Sequence, residues 1–244
     1  MKLLVVGGAG YVGRMVIPHL AKHHDLRVFD LVKPLAGPWE CVIGSVVDVE
    51  ALASSMDGVD AVIYMAMYVP PILKDVRTIA PSNIMSVATA FDVHVKGLYL
   101  ALWAASDRSV PHLVYTSSLS VYKSRDDHYP DELTPPDATD LYGFTKRLGE
   151  EVCRSWVEEG SLTVTALRLC FPVPDDAPAP TENNFRAMTF TRAYDVAQAI
   201  LAGLEHRSGF DAFAISGDVH NRMVTLSKAR TELGWIPTRP VGIE

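Results

Sequence analysis

Tyr142 and Lys146 stand four residues apart in the run Tyr142-Gly143-Phe144-Thr145-Lys146. On a helix that spacing puts a phenol and an ammonium on one face. A free tyrosine titrates near pH 10, too high for a base at neutral pH, so it needs help. A lysine cation beside it favours the phenolate and makes it a usable general acid/base. Ser117 and Ser118 lie about 24 residues earlier, at the end of an apolar run. Ser118 is placed to hydrogen-bond a substrate oxygen beside Tyr142. An ordinary strand-end cap is the plainer alternative for both serines.

A second group of residues would cradle phosphates. Leu3 to Val6 is a short apolar run that breaks at Gly7-Gly8, and a helix begins near Tyr11. Gly7, Gly10 and Gly13 follow at i, i+3 and i+6. The first allows a tight turn, the second lets backbone N–H groups approach a pyrophosphate, and the third lets the helix pack closely on the strand. The helix N-terminus offers the positive end of its dipole to the same phosphates. Leu26 to Phe29 ends in Asp30, about twenty residues after Gly10, where a carboxylate accepts the adenosine ribose hydroxyls and repels a 2′-phosphate. The expected cofactor is therefore NAD rather than NADP. An oxidised nicotinamide would further favour the Tyr142 phenolate, and Lys146 is placed to hold the nicotinamide ribose.

These groups require parallel strands alternating with helices. Cys41 to Ile43 reads as a third strand, followed by Asp48-Val49 at the start of a helix ending near Gly58. Asp48 is a helix N-cap or a contact to the adenine amino group, two compatible roles. Asp60 to Ala66 is apolar, as a parallel strand covered on both faces should be. Met67 to Pro81, with Pro70 and Pro71, is irregular. Ser82 to Ser106 has a helical apolar spacing at Phe91, Val95, Leu98 and Leu102. Val110 to Thr116 is the fifth strand. Lys123 to Asp140, with Asp126, Asp127, Asp131 and Glu132, reads as a solvated loop. A helix runs from near Asp140 to a C-cap at Gly160. Leu162 to Leu169 is the sixth strand, Pro172 to Asn184 is loop, and Thr189-Phe190 is extended. Tyr194 to His206 is helix, Ala212 to Ser216 a last strand, and Thr225 to Leu233 a short helix stopped by Gly234 and Pro237. The pattern predicts an α/β fold with a doubly wound parallel sheet, a Rossmann fold. Residues 1–170 would form the dinucleotide-binding domain, and 171–244 a small substrate lobe interleaved with the last strand and helices.

Composition sets the outer bounds. A chain of 244 residues, 48% hydrophobic and 21% charged, can bury one sizeable core. A net charge of −7 gives no reason to expect nucleic acid or an anionic membrane as partner. Cys41, Cys153 and Cys170 contain no Cys-x-x-Cys pair, so neither a disulfide framework nor a zinc site is expected, and the odd count fits a reducing, cytoplasmic setting. The N-terminus reads as a strand of the fold rather than a signal peptide, and no apolar run approaches about 18 residues. His19 and His23 lie one helical turn apart, but nothing near them completes a metal site.

The residues also match a family. The chain resembles the extended short-chain dehydrogenase/reductases, the NAD-dependent epimerase/dehydratase group. The match runs through Gly7-Gly8-Ala9-Gly10-Tyr11-Val12-Gly13, Val62 to Ala66, Tyr115 to Tyr122 and Tyr142 to Lys146. It continues through Leu167-Arg168-Leu169 and Tyr194 to Ala197, and closes with Leu233 to Pro237. The resemblance implies NAD bound across a Rossmann domain and a catalytic serine four residues before Tyr122, which is Ser118. It implies cofactor contacts from Gly7 to Gly13, including Tyr11 and Val12, and from Asp30, Asp48 and Val49. Met65 and Ala66 would lie along the cofactor, and Cys170, Pro172 and Val173 beside the nicotinamide. It also implies a homodimer through helices Ser82–Ser106 and Asp140–Glu159, paired as a four-helix bundle.

Three departures from the family pattern shape the expected activity. His94, in Phe91 to Gly97, stands where the family usually has an Asn that orders the site through a water. It replaces that Asn as a polar group, marks a changed proton path, or is a core histidine. Leu119 and Ser120 follow Ser118 where the dehydratases have an acidic pair, which argues against dehydration. The short C-terminal half and Arg168 to Pro174 resemble the uronate dehydrogenase branch. The resemblance thus implies oxidation of a sugar or sugar-acid hydroxyl, with Ser118, Tyr142, Lys146 and His94 as catalytic residues. A nucleotide-sugar epimerase and a non-catalytic dinucleotide-sensing protein are the alternatives.

Overall fold

The computed structural model describes residues 1–68, 81–123, 128–160, 162–178 and 189–239. Pro70, Pro71, Asp126, Asp127 and 179–184 lie outside them. The elements in chain order are β1 (Lys2–Val6), α1 (Tyr11–Leu20), β2 (Asp25–Asp30), β3 (Trp39–Ile43), α2 (Val49–Ser55) and β4 (Ala61–Tyr64). Then come α3 (Pro81–Phe91), a π-helical segment (Asp92–Lys96), α4 (Gly97–Asp107), β5 (His112–Ser118) and a 3₁₀ turn (Leu119–Val121). The chain closes with α5 (Leu141–Glu158), β6 (Thr163–Leu169), β7 (Pro172–Val173), β8 (Thr191–Arg192), α6 (Ala193–Glu205), β9 (Phe210–Ile215) and α7 (Ser227–Thr231).

Seven strands form one sheet in the order β3-β2-β1-β4-β5-β6-β9. Every pair is parallel. The order reverses between β1 and β4, which is where doubly wound sheets bind their ligands. Alternate residues of β1 serve opposite faces. Leu3 and Val5 join a core with α1 and α6, while Leu4 and Val6 join one with α2 and α4. Both faces are covered, so the strands read as continuous apolar runs.

Beyond position 171 the described chain returns to the sheet. β9 pairs with β6 over six residues and α6 packs in the main core. A two-residue ladder of β7 and β8 is the part set apart from it. The extended piece falls at Thr191-Arg192, two residues after the expected Thr189-Phe190.

The helix expected over Ser82 to Ser106 is not uniform. At Asp92–Lys96 it widens, and Gly97 N–H bonds back five residues to Asp92 O. A π-segment frees carbonyls from the ordinary ladder. Tyr64 supplies a partner by donating its hydroxyl to Val93 O at 2.6 Å. The widened turn carries His94 inward, where it is 1% exposed.

Candidate active site

Because the strands are parallel, the segments that follow them emerge along one edge of the sheet. There they enclose a cavity of about 540 Å³. At the near end Gly7 and Gly10 form the turn after β1, with Tyr11 and Val12 at the start of α1. Gly7 has φ +84°, and a Cβ there would lie 2.4 Å from Ala66 N and Cα. A Cβ on Gly13 would lie 2.3 Å from Gly8 O, so Gly13 serves helix–strand packing and does not line the cavity. The helix these glycines introduce has no capping side chain and no acid in its first turn. By contrast, α2 is capped by Asp48 and α5 by Asp140. The first N–H groups of α1 are thus left to an anion.

Asp30 lines the same end. Its Oδ2 accepts Ala9 N–H at 2.8 Å and its Oδ1 accepts Val32 N–H at 3.3 Å. A carboxylate has about four lone-pair sites, so capacity remains for ribose hydroxyls. A pyrophosphate on the glycine turn and a ribose at Asp30 fit these residues. Asp48 and Val49 are not brought to the cavity wall, which is formed by Gly44, Ser45, Val46 and Val47 instead. The Asp48 side chain accepts Ala51 N–H at 3.1 Å, the N-cap role.

Met65 and Ala66 run along the middle of the cavity, and Cys170 and Pro172 form its opposite wall. Val173 is in β7 and does not line it. At the far end stand Ser118, Tyr142 and Lys146. Ser118 caps the turn after β5, its Oγ accepting Ser120 N–H at 3.1 Å. Asp140 caps α5 by accepting Gly143 N–H at 3.0 Å. A Cβ on Gly143 would lie 2.1 Å from Ser120 O, so a glycine after Tyr142 lets α5 press its first turn against the Ser118 turn.

The electrostatics differ from the sequence expectation. The Tyr142 phenol is half-buried and donates to Met67 Sδ at 3.2 Å. Burial raises its pKa, with a smaller opposing effect from a hydrogen bond to Ser118. Lys146 does not bring it down towards neutrality. The ammonium, 2% exposed, instead donates to Thr116 O at 2.8 Å and lies 4.9 Å from the centre of the Tyr115 ring. Burial lowers the Lys146 pKa to about 8, and Glu150 opposes that shift.

His94 sits behind Tyr142, edge to face at 5.8 Å between ring centres, and does not line the cavity. Its Nε2 accepts Tyr68 N–H at 2.9 Å. Thr145 spends its hydroxyl proton on Leu141 O at 2.8 Å, so the 2.7 Å contact with His94 Nδ1 has the ring donating. Both ring nitrogens are committed and the tautomer is set. Burial, with the Lys146 charge, lowers the His94 pKa to about 3.

Sequence reasoning missed two groups. Met67, just after the expected Met65-Ala66 pair, meets the Tyr142 hydroxyl. Glu150 extends the Tyr142–Lys146 spacing by another four residues, a signal that was available. In the loop read as solvated, Glu132 accepts Ala214 N–H at 2.8 Å and Asp131 O accepts the Tyr122 hydroxyl at 2.8 Å. His19 is held by Asp175 at 2.8 Å and by the edge of Tyr194. No cluster of metal-ligating side chains occurs among the described residues.

A model of the NAD dependent epimerase/dehydratase family matches residues 3–203. The chain belongs to that family, and its fold is that of the extended short-chain dehydrogenase/reductases. Among curated family relatives, an N-acetyl-alpha-D-glucosaminyl-diphospho-ditrans,octacis-undecaprenol 4-epimerase of Escherichia coli O157:H7 is 29% identical over 66% of this chain and 46% of its own. An NAD-dependent glucose-6-phosphate dehydrogenase of Haloferax volcanii is 24% identical over 96% of this chain and 92% of its own. A uronate dehydrogenase structure from Agrobacterium tumefaciens superposes with a TM-score of 0.78 at 22% identity, covering 97% of this chain and 84% of its own. The chain spans 46%, 51% and 39% of the first three curated relatives it matches. Among the described residues no helix is long and apolar enough to cross a membrane.

Proposed function

We propose that this protein is an NAD-dependent oxidoreductase acting on a hydroxyl of a sugar or sugar acid, a cytoplasmic enzyme working as a homodimer. One observation carries the reading. Ser118, Tyr142 and Lys146 converge at the far end of the cavity whose near end is the Gly7–Gly10 turn and Asp30. A sensing protein needs the near end and not the far one.

Bound NAD supplies the hydride acceptor. Gly7, Gly10 and the first turn of α1 would hold its pyrophosphate, Asp30 its adenosine ribose, and Met65, Ala66, Cys170 and Pro172 its length. Ser118 orients the substrate oxygen. Tyr142 takes the hydroxyl proton once its own has been lost. Lys146 would hold the nicotinamide ribose, and its ammonium together with the oxidised nicotinamide would favour the phenolate form of Tyr142 against the burial that raises its pKa. Met67, which takes the Tyr142 hydroxyl at rest, must release it to the substrate oxygen. His94 supports Tyr142 from behind.

The Haloferax dehydrogenase, aligned over nearly all of both chains, supports oxidation. The Escherichia coli relative, aligned over 66% of this chain, supports the epimerase alternative. Turnover with NAD in excess separates them. Hexuronic acids and neutral aldoses should give NADH that accumulates with each turnover. An epimerase would change sugar configuration with NADH below one equivalent per site, and that result would overturn the proposal. Tyr142→Phe should lower turnover by about 10²–10⁴ with NAD affinity near wild type.

A further inference from the structure

Glu150, one turn beyond Lys146 on α5, is 1% exposed and fully partnered. Arg168 of β6 grips it as a fork, Nε to Oε1 at 2.9 Å and Nη2 to Oε2 at 2.7 Å. Ser117 Oγ donates to Oε1 at 2.6 Å. The free Nη1 of Arg168 donates to the Tyr122 hydroxyl at 2.6 Å. A buried ion pair is weak evidence for stability, because desolvating two charges offsets their attraction. The placement of this one points elsewhere. Ser117 adjoins Ser118, Tyr122 ends the turn that Ser118 caps, and Glu150 adjoins Lys146.

Lys146 is a buried cation with no ion-pair partner in contact among the described residues. Its own helix presents Tyr142, Glu150 and Cys153; β5 presents Tyr115; the π-segment presents His94. Burial pushes the thiol of Cys153 and the phenol of Tyr115 up, so both stay neutral, and it pushes the His94 imidazole down, so that stays neutral too. Glu150 is the one carboxylate in this group, with Arg168 on its far side.

We propose that Glu150 is a positioning residue of the Tyr142–Lys146 site. Its carboxylate holds the buried Lys146 in the ammonium form, while its grip on Ser117 and Arg168 fixes the strand end that presents Ser118. The inference rests on the functional reading of Lys146 above, so its test reads Lys146 directly and needs no substrate.

NMR of the full chain with isotope-labelled lysine follows the Lys146 side chain through pH, its resonance identified by its loss in Lys146→Met. The wild-type midpoint should lie near 8. Glu150→Gln keeps the shape and removes the charge, and should lower the midpoint by about one unit. Glu150→Asp keeps the charge at a shorter reach, and should leave the midpoint near wild type. An unmoved midpoint in Glu150→Gln, or an equal drop in Glu150→Asp, overturns the proposal. If Glu150→Gln alone does not fold around an unpaired Arg168, the double variant Glu150→Gln with Arg168→Gln must still lower the midpoint, by less than one unit because the more distant cation is lost with the carboxylate, and a wild-type midpoint there also overturns it. The alkaline limb of kcat/KM should follow the NMR midpoint. A midpoint that moves under an unmoved limb upholds Glu150 and refutes the catalytic assignment of Lys146.

Discussion

Mild acid should destabilise this protein more than it destabilises a His94→Asn variant, by an amount that the surroundings of His94 set. Both ring nitrogens are engaged, one as donor to Thr145 and one as acceptor from Tyr68. A second ring proton would replace the Tyr68 hydrogen bond with a clash of two donors. Burial and the Lys146 charge lower the folded pKa to about 3, against 6.5 for the free side chain. A base with a depressed folded pKa binds its proton in the unfolded chain first. Stability is therefore intact at neutral pH and is lost as pH falls from 6.5 towards the folded value. Each pH unit in that window is worth about 1.4 kcal/mol, so at about pH 5 the loss from His94 is about 2 kcal/mol. That figure requires only that the folded pKa lie below about 4. Denaturant unfolding of wild type and variant, at neutral pH and near pH 5, gives the comparison. His112, also buried with a lowered pKa, is common to both proteins and cancels in the difference. Wild type should lose about 2 kcal/mol more than the variant between the two conditions. Equal losses would refute the fixed neutral tautomer and reopen a proton-carrying role for His94.

Asp30→Asn removes the charge and keeps one acceptor oxygen, which the shorter Ala9 contact would take in place of the Val32 one, so the NADP-to-NAD affinity ratio by calorimetry should rise roughly tenfold, about 1.4 kcal/mol; an unchanged ratio would move the ribose away from Asp30. Tyr99 and Trp103 are exposed on α4 and Met85 on α3, the helix run expected to face a second copy. Light scattering at micromolar concentration should report a dimer, and Trp103→Glu a monomer that still binds NAD. A wild-type monomer would remove the four-helix pairing.

What the chain disclosed in advance was what short-range pattern encodes. The glycine turn, the apolar strands and the Asp140 start of α5 each depend on residues within a few positions of one another, and the structure has them in place. The features it concealed depend on pitch or on distance. A π-turn has the same composition as an α-turn, so although Phe91 to Gly97 pointed to His94 as a site residue, nothing in it announced the widened turn that carries the ring inward behind Tyr142. Asp48 could cap a helix and touch an adenine by residue type alone. The structure has its Oδ1 accepting Ala51 N–H, the capping role, while Gly44–Val47 line the cavity wall beside it. The spacing of Glu150 was legible, but its partner was not. A carboxylate on an amphipathic helix reads as a solvated face, and its fork with Arg168 closes across 18 residues of intervening chain. The same blindness affected Tyr142. Its spacing to Lys146 is local and was legible, whereas the burial that raises its pKa is a property of the assembled core. A sequence motif therefore names the groups that can exchange a proton here. Which of them holds it at rest is decided by neighbours contributed from β4, β5 and β6.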